Sequence, residues 1–380
     1  MSTLPLLEID GHSLYYTFIA GAKKVLEHQY HLNKINVFPV NDGDSVVIGN
    51  NEKTKHIHVH TNNPANLFQH LKDYSLITFQ KADDMLRQSE TIFNRKWKIA
   101  LVTDSTCDLP QELIDQYQIN MLPLNINFGE SHYLDKITIQ PDQFYTLLNH
   151  HKDFPKTSQV KEKTFTNLYT QLSAHYDSVI AIHLTDKFSG TYFNSQKAAL
   201  IVNKKFNKQI TVINSKNLSG ALGLITLRTA QAIEVGYSHD EIVTMTEKWI
   251  KDTHIFVSVK TLKYMVRGGR VSFIKGFIAK LLNINSIVSM DEDGSSFIFG
   301  KTYSQNSNME KVMMHIQTIG KDRKIWNYIV LHAQNTDAAS WYSHKMKDLT
   351  GKKPVAVVNI SPVIVANAGI GTASVAIMFK

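Results

Sequence analysis

The sequence contains a single cysteine, Cys107, among its 380 residues. One cysteine cannot form an internal disulfide, so a disulfide-stabilised scaffold is excluded and a reducing compartment fits best. The chain also has no run of 18 or more uncharged apolar residues, and its N-terminus lacks the basic segment and apolar core of a secretory signal. We therefore expect a cytoplasmic protein without a membrane span.

Several common catalytic signatures are missing as well. The sequence has no phosphate-binding G-x-x-x-x-G-K-[ST] loop, no G-x-S-x-G elbow, no H-E-x-x-H and no paired-cysteine zinc motif. The net charge of +8 is spread over short lysine clusters, without dense interleaving of arginine and aromatic residues. This distribution indicates a solvated surface and argues against nucleic-acid binding.

The length and the 43% hydrophobic content predict two or three domains with buried cores. Residues 1–95 differ from the rest: a helical pattern from Leu14 to Leu26 precedes short strands predicted at 45–48 and 55–61. From Lys98 onward strands alternate with helices, which favours parallel α/β layers. A second α/β domain with a mixed sheet is predicted from Thr253, so that the proposed domains are 1–95, 97–252 and 253–380, with a cleft between the last two.

The stretch from Asp104 to Pro110 follows an apolar strand and precedes a helix. Asp104 and Ser105 would then lie at the carboxyl edge of a sheet, where ligands of α/β folds bind. The alternative is an ordinary helix start, with Asp108 as the N-cap and Pro110 in the first turn. Cys107 has no evident base in the sequence to activate it as a nucleophile.

Ser189, Gly190 and Thr191 open a long predicted helix soon after a strand. Free N–H groups and the positive end of the helix dipole can receive an anion such as a carboxylate there, with the two hydroxyls as donors. A capping serine without a ligand is the alternative. Thr157 and Ser158 form a second small hydroxyl cluster before a helix.

The stretch 267–270 reads Arg-Gly-Gly-Arg and ends a predicted helix. A glycine is what a left-handed C-terminal cap prefers, which accounts for the glycines. It does not account for Arg270, which a tight turn can hold toward an anion in the cleft.

His58 and His60 alternate with His56, so on a strand they project from one face and can bind a metal. An exposed polar strand face is the alternative, since no second group of ligands is evident.

In this order and spacing, the motifs at 104–108, 157–159, 189–191 and 267–270 resemble the DegV family, the fatty-acid-binding subunits of bacterial fatty-acid kinase. The resemblance runs from about residue 97 to the C-terminus. It implies a two-domain α/β fold with mostly parallel sheets, whose domains clasp a fatty acid with its tail in an apolar tunnel. The implied head-group residues are Thr157, Ser158, Ser189, Gly190 and Thr191. The resemblance also implies that Arg270 acts in handing the carboxylate to the kinase.

The C-terminal segment 361–371 departs from this family pattern, because Asn367 occupies the position of a family histidine. Asparagine can hydrogen-bond a carboxylate but cannot titrate or carry a proton, so this change favours binding over phosphoryl transfer.

The N-terminal region resembles the kinase component of the same system in two pieces. Residues 36–44 look like the start of its nucleotide-binding domain, in which Asp42 and Asp44 would hold Mg²⁺, but the helical bundle that should follow is missing. Residues 42–87 resemble the kinase's middle domain, which gives His58 and His60 a zinc role, although the usual cysteine has no counterpart. Two carboxylates without a surrounding pocket cannot orient ATP for transfer.

These observations predict a non-covalent carrier of a long-chain fatty acid that needs no cofactor for binding. Its carboxylate would be phosphorylated by a separate ATP-dependent kinase subunit, with Mg-ATP entering only through that partner. One alternative is a divergent lipid sensor or scaffold without phosphotransfer, and another is a fused kinase with its own ATP site. The sequence specifies neither the length and unsaturation of the lipid nor the oligomeric state.

Overall fold

The structure is a computed structural model that describes residues 16–23, 44–50, 54–72, 76–151, 153–270 and 285–380. Within these residues, no helix combines the length and the apolar character that crossing a membrane requires.

Residues 16–93 form an N-terminal unit with one antiparallel sheet of order β2-β3-β1-β4. Its elements are β1 (Tyr16–Lys23), β2 (Asp44–Asn50), β3 (Thr54–Thr61), α1 (Pro64–Lys72), β4 (Leu76–Asp84) and α2 (Met85–Phe93). The strands predicted at 45–48 and 55–61 are confirmed as β2 and β3. The helix predicted from Leu14 to Leu26 is wrong, because residues 16–23 form a strand that pairs with β3 on one side and β4 on the other. Pairing on both sides overrides a short local periodicity.

Residues 98–252 contain a parallel sheet of order β11-β10-β5-β6, called here the parallel sheet, and a small antiparallel sheet of order β8-β7-β9, called the hairpin sheet. The elements are β5 (Ile99–Asp104), α3 (Gln111–Gln116), β6 (Asn120–Leu122), β7 (Asn125–Phe128), β8 (Ser131–Leu134), α4 (Pro141–His150), β9 (Lys156–Ser158), α5 (Glu162–His175), β10 (Ser178–His183), α6 (Thr191–Phe206), β11 (Gln209–Asn214), α7 (Ser219–Val235) and α8 (His239–Lys251). The predicted parallel layer is confirmed. Every residue of β10 is buried, as a central strand covered on both faces requires.

Residues 253–380 form a six-stranded sheet of order β14-β13-β12-β17-β15-β16, called the mixed sheet. The elements are β12 (Thr253–Val259), α9 (Lys263–Arg267), β13 (Asn285–Met290), β14 (Ser296–Thr302), α10 (Gln305–Ile319), β15 (Ile325–His332), α11 (Thr336–Thr350), β16 (Ala356–Asn359), α12 (Pro362–Ala368) and β17 (Ala373–Phe379). Only β15 and β16 pair in parallel within this sheet. The expectation of mostly parallel sheets therefore holds for the first half of the fold, and the mixed sheet expected for the second half is confirmed. A tight turn at residues 291–294 joins β13 to β14.

Helix α7 packs between the two large sheets, contacting β5 and β10 on one side and β12, β15 and β17 on the other. Gly220 makes this approach possible: a Cβ at that position would lie 2.7 Å from Leu331 Cδ1 and 3.2 Å from Ala376 Cβ. Because close-packed cores do not yield easily to added volume, the glycine sets the distance between α7 and the mixed sheet. The two halves therefore share one hydrophobic core.

Two buried carboxylates from the first half hold helix α12 of the second. Asp108 accepts a hydrogen bond from the Ser361 N–H at 3.1 Å, and Asp135 accepts one from the Val363 N–H at 3.2 Å. The Asp108 carboxylate also lies 2.8 Å from Lys136 Nζ and accepts from Ser219 Oγ at 2.6 Å. Asp108 is therefore not the N-cap of α3, a position that Pro110 occupies without a side-chain cap. The Asp108 carboxylate instead accepts the N–H of Ser361, the N-cap of α12.

The N-terminal unit packs on the first half beside β8. The rings of Phe68 and Tyr133 have centroids 5.4 Å apart. The Arg87 guanidinium, 5% exposed, reaches the Asp115 carboxylate at 2.8 Å. The Asp115 side chain is 34% exposed, so this ion pair is only partly buried.

Candidate ligand-binding site

A cavity of about 820 Å³, including its open mouth, lies between the first half and the mixed sheet. Its apolar lining consists of Leu124, Leu184, Phe188, Leu218, Ile255, Val257, Val259, Met265, Val288, Met290, Val363, Ile364 and Ala368. Its polar lining consists of Thr106, Thr157, Ser158, Gln159, Ser189, Arg270, Ser289, Ser296 and Asn367.

The apolar wall of the cavity is built mainly by neighbouring strands. Ile255, Val257 and Val259 alternate along β12, so that they project from one face of the mixed sheet. Val288 and Met290 extend the wall on β13, which pairs with β12. This periodicity indicates only a buried strand face, and the sequence therefore does not distinguish a ligand wall from ordinary core.

Three hydroxyls predicted to bind the head group line the cavity together. Thr157 and Ser158 end β9, which pairs with β7 through the register Thr157↔Ile126 and Ser158↔Asn125. Ser189 precedes α6. Although the two clusters are far apart in the sequence, they meet because β9 and the start of α6 lie at the same edge of the cavity.

Gly190 and Thr191 do not line the cavity but fix Ser189. Gly190 is the N-cap of α6, and Thr191 is fully buried. The Thr191 N–H donates to Ser189 Oγ at 3.3 Å, and the two hydroxyl oxygens are 2.8 Å apart. A Cβ on Gly190 would lie 2.0 Å from Gln159 Oε1, so glycine is needed for Gln159 to cover the start of α6. Gln159, a cavity-lining residue that the head-group prediction omits, directly follows the predicted Thr157-Ser158 pair.

Arg270 brings a positive charge to the mouth of the cavity. Its Nη1 donates to the Gly268 carbonyl at 2.8 Å, and its Nε donates to the Phe188 carbonyl at 3.4 Å. Burial lowers the pKa of the guanidinium, yet an arginine remains charged at neutral pH. Among the residues that the structure describes, no carboxylate forms an ion pair with Arg270. A half-buried cation without a carboxylate partner can stabilise an anionic ligand.

Asn367 lines the cavity on α12, next to the turn that carries Arg270. Its Nδ2 donates to the Val363 carbonyl at 3.1 Å. A Cβ on Gly268 would lie 2.0 Å from Asn367 Oδ1, so the glycine allows the amide to lie against the turn. The Asn367 side chain therefore lies between the apolar wall and the turn at 267–270 that carries Arg270. It places no titratable group there.

Asp104 and Ser105, which are expected near the ligand, lie behind the cavity and are fully buried. Asp104 accepts from the Thr106 and Leu184 N–H groups at 3.0 and 2.9 Å and lies 3.2 Å from His183 Nδ1. Ser105 Oγ accepts from the Leu124 N–H at 3.0 Å. Both residues hold segments that carry lining side chains and do not line the cavity themselves.

The thiol of Cys107 does not contribute chemistry to the site. It is fully buried, and burial raises its pKa to about 12. A thiol with so high a pKa is not a nucleophile at neutral pH.

The predicted metal positions fall in the N-terminal unit. Asp42 lies outside the described residues, and Asp44 begins β2 opposite His60. The rings of His58 and His60 have centroids 5.2 Å apart. Two imidazoles supply half of a tetrahedral zinc shell, and the described part of the chain contains no group of three or more histidine, cysteine or acidic residues suited to a metal. These residues alone therefore do not complete a zinc site.

Two family models match the chain. The model described as "Uncharacterised protein, DegV family" matches residues 98–380. The model for the middle domain of FakA-like fatty acid kinase proteins matches residues 18–92. The second match confirms the resemblance to the kinase's middle domain, and it includes residues 36–44, for which the start of the nucleotide-binding domain stays a prediction.

Relatives of known sequence or structure cover the same part of the chain. A DegV domain-containing protein of Clostridium acetobutylicum is 31% identical over 290 residues, which are 74% of this chain and 99% of the relative. The crystal structure of DegV from Bacillus subtilis, described as a fatty acid binding protein, is 27% identical with a TM-score of 0.68, covering 75% of this chain and 100% of the other. A DegV family protein from Thermus thermophilus, whose structure is described by its fatty acid binding, is 26% identical with a TM-score of 0.67, covering 74% and 100%.

Proposed function

The chain belongs to the DegV family, and from this premise we propose that it binds one long-chain fatty acid non-covalently in the cavity between its two DegV domains, residues 97–252 and 253–380. The observation that supports the proposal most is a cavity lined mainly by apolar side chains whose polar residues include three hydroxyls and an arginine. A fatty acid likewise has an apolar tail and a polar carboxylate.

The apolar wall accounts for affinity. Burying a palmitoyl-like tail stabilises the complex by on the order of 10 kcal/mol at ~0.8 kcal/mol per methylene, before the costs of association are subtracted. No cofactor is needed for this interaction.

The mouth accounts for selectivity toward a carboxylate. Hydroxyls of Thr157, Ser158 and Ser189 donate hydrogen bonds to the two carboxylate oxygens, and Arg270 supplies the compensating charge. Because charge-assisted hydrogen bonds are about twice as strong as neutral ones, a methyl ester of the same chain binds more weakly.

We further propose that a separate ATP-dependent kinase subunit phosphorylates the bound fatty acid. A carboxylate oxygen attacks the γ-phosphorus of ATP, ADP leaves, and an acyl phosphate is formed; Mg-ATP enters with the partner. The match of residues 18–92 to the middle domain of FakA-like fatty acid kinase proteins supports a link to such a system. Arg270, at the mouth, is the residue that we assign to the transfer to the partner.

A second candidate function is that of a lipid sensor or scaffold that binds the fatty acid without phosphotransfer. Asn367 favours it, because a neutral amide at this position cannot act as an acid or a base near neutral pH. When a kinase partner is added, Asn367→His is expected to raise acyl-phosphate formation if transfer has been weakened. An unchanged yield would remove this support for the sensor.

Lipid extracted from the purified full-length chain, analysed by mass spectrometry, tests the binding proposal. We expect a long-chain fatty acid in roughly stoichiometric amount, or saturable binding of oleate after the lipid is removed. An empty protein that also rejects added oleate would contradict the proposal. Acyl-phosphate formation from ATP by the chain without a partner would instead favour a fused kinase.

A further inference from the structure

The N-terminal unit is joined to the head-group end of the cavity by a continuous line of side chains. Its strand β4 packs against β8 of the hairpin sheet. In that sheet β8 pairs with β7, and β7 pairs with β9, which carries Thr157 and Ser158. Two strands of this sheet, β8 and β7, therefore separate the N-terminal unit from two of the proposed head-group hydroxyls.

Three side chains form the hydrogen bonds that cross these two strands. Gln80 Nε2 on β4 donates to His132 Nδ1 at 3.0 Å and also to the His132 carbonyl. His132 Nε2 lies 3.1 Å from Asn125 Oδ1, and Asn125 Nδ2 donates to the Gln159 carbonyl at 3.2 Å.

The directions of these bonds agree with one protonation state. Because Gln80 donates an amide N–H to His132 Nδ1, the imidazole of His132 must be neutral with its proton on Nε2. That Nε2–H then faces the amide oxygen Asn125 Oδ1. Burial and the nearby charge of Lys161 lower the pKa of His132, which favours the neutral ring. Each donor in the line therefore meets an acceptor.

The line ends where the head group is expected. Asn125 is opposite Ser158 in the β7–β9 register, and its side chain holds the next peptide, that of Gln159. Gln159 lines the cavity, and its side chain lies against Gly190 at the start of α6. A shift of the Gln159 peptide would move Ser158 and also the Gln159 side chain, which lies beside Ser189 at the start of α6.

We propose that Gln80 of the N-terminal unit is a positioning residue for the carboxylate site and acts through His132 and Asn125. The N-terminal unit thereby affects the selectivity of the site for a carboxylate head group and does not change the apolar wall. This inference rests on the proposed function, because it assigns the regulation of the same site.

The test compares Gln80→Met with Gln69→Met in the full-length chain. Methionine keeps the volume of the 4% exposed Gln80 side chain but removes its hydrogen bonds. Gln69 accepts a hydrogen bond across the same interface, from Gln143 Nε2 at 2.9 Å. Among the described residues, no hydrogen bond of this pair reaches the hairpin sheet, whose strand β9 carries Thr157 and Ser158. Affinities for oleate and for methyl oleate, which lacks the carboxylate, are measured for each protein.

We expect Gln80→Met to weaken oleate binding about three- to tenfold, because the Gln159 peptide is then no longer held in place and must be ordered when the ligand binds, at a cost of about one hydrogen bond. Methyl oleate binding should change by less than about twofold, and Gln69→Met should change neither. Adding Asn125→Leu, which lacks the amide donor and introduces no charge, to Gln80→Met should not weaken oleate binding beyond the weaker-binding of the two single variants, because both break the same line.

Equal losses for oleate and methyl oleate, equal effects of Gln80→Met and Gln69→Met, or multiplying effects in the double variant would each overturn the inference. If Gln80→Met does not fold, Asn125→Leu alone carries the test, since it is expected to give the same oleate-specific loss. A wild-type chain that binds no oleate would contradict the proposed function itself. If the wild-type chain binds oleate and the variants bind it with unchanged affinity, only the role of Gln80 is contradicted.

Discussion

The two ends of the cavity are built in different ways. The apolar wall comes from the regular faces of β12 and β13, in which each side chain is fixed by the sheet. The mouth is assembled from short segments, namely the end of β9, the loop before α6, the turn at 267–270 and α12, each held by specific hydrogen bonds. A sheet face tolerates changes in shape but not in polarity, whereas a mouth of this kind depends on single contacts. Substitutions at the two ends should therefore differ in what they change.

The largest effect is expected from a charge placed in the apolar wall. Val257→Asp puts an unpaired carboxylate where the tail of the ligand lies, and we expect oleate affinity to fall at least about 100-fold, with methyl oleate losing as much. The matched control is Val235→Asp, since Val235 is 71% exposed at the end of α7. Calorimetric titration and thermal melting of both variants measure the difference. A loss confined to oleate would place the tail elsewhere.

Removing the charge at the mouth should have the next largest effect. Arg270→Gln is expected to weaken oleate binding about 10- to 100-fold, the value of a charge-assisted interaction, while methyl oleate changes little. Arg267→Gln is the control, because that exposed guanidinium lies over the Phe154 ring at 5.5 Å and does not line the cavity. If Arg270→Gln lowers the affinities for oleate and for methyl oleate equally, the distinction between the mouth and the wall is contradicted.

Helix α12 belongs to both ends, since it carries Val363 and Ile364 of the wall and Asn367 of the mouth. Asp135, which receives the Val363 N–H, is fully buried, and burial raises its pKa to about 7 against the opposing charge of Lys136. Its unfolded-state pKa is about 3.9, so the folded protein holds this proton more tightly, and the group's contribution to stability is lost as the pH rises from about 4 to about 7.

Asp135→Asn removes this titration but keeps an oxygen that can accept from Val363. The free energy of unfolding of the variant should therefore rise relative to the wild type over that pH window, by on the order of 4 kcal/mol above pH 7, because each of the about three pKa units is worth about 1.4 kcal/mol. Urea unfolding at pH 4, 5.5, 7 and 8 measures it. A difference between the two proteins that stays constant across these pH values would contradict the assignment.

The smallest effect concerns one hydroxyl of the mouth. Thr157→Val keeps the shape of the side chain but removes its donor, and we expect a two- to fivefold loss of oleate affinity, about that of one neutral hydrogen bond. Thr146→Val, on the exposed face of α4, is the matched control. A loss as large as that of Arg270→Gln would mean that Thr157 contributes as much to recognition of the carboxylate as the arginine does, which would contradict this ranking.

The same contrast explains what the sequence can predict. Ser189 and Thr157 are identifiable because small hydroxyls beside a strand end or a helix start have a local signature, and the parallel layer follows from alternating patterns. The wall on β12 could not be predicted, because its alternation is that of any buried strand. The helix predicted in 14–26 is wrong since the pairing of β1 on both sides depends on distant strands.

Contacts over long sequence separations also escape prediction. Asp108 resembles a local N-cap in the sequence but holds α12, 253 residues away. Likewise, the contact between Gln80 and His132 joins residues 52 positions apart in two differently folded units. Such pairs leave no periodic pattern in a single sequence.

A crystal structure of the full-length chain with bound oleate tests the account most directly. We predict one oleate whose carboxylate oxygens lie within hydrogen-bonding distance of Ser158 or Ser189 and near the Arg270 guanidinium, with the tail along Val257 and Val288. A ligand with its tail at the mouth, or one bound outside this cavity, would contradict the account.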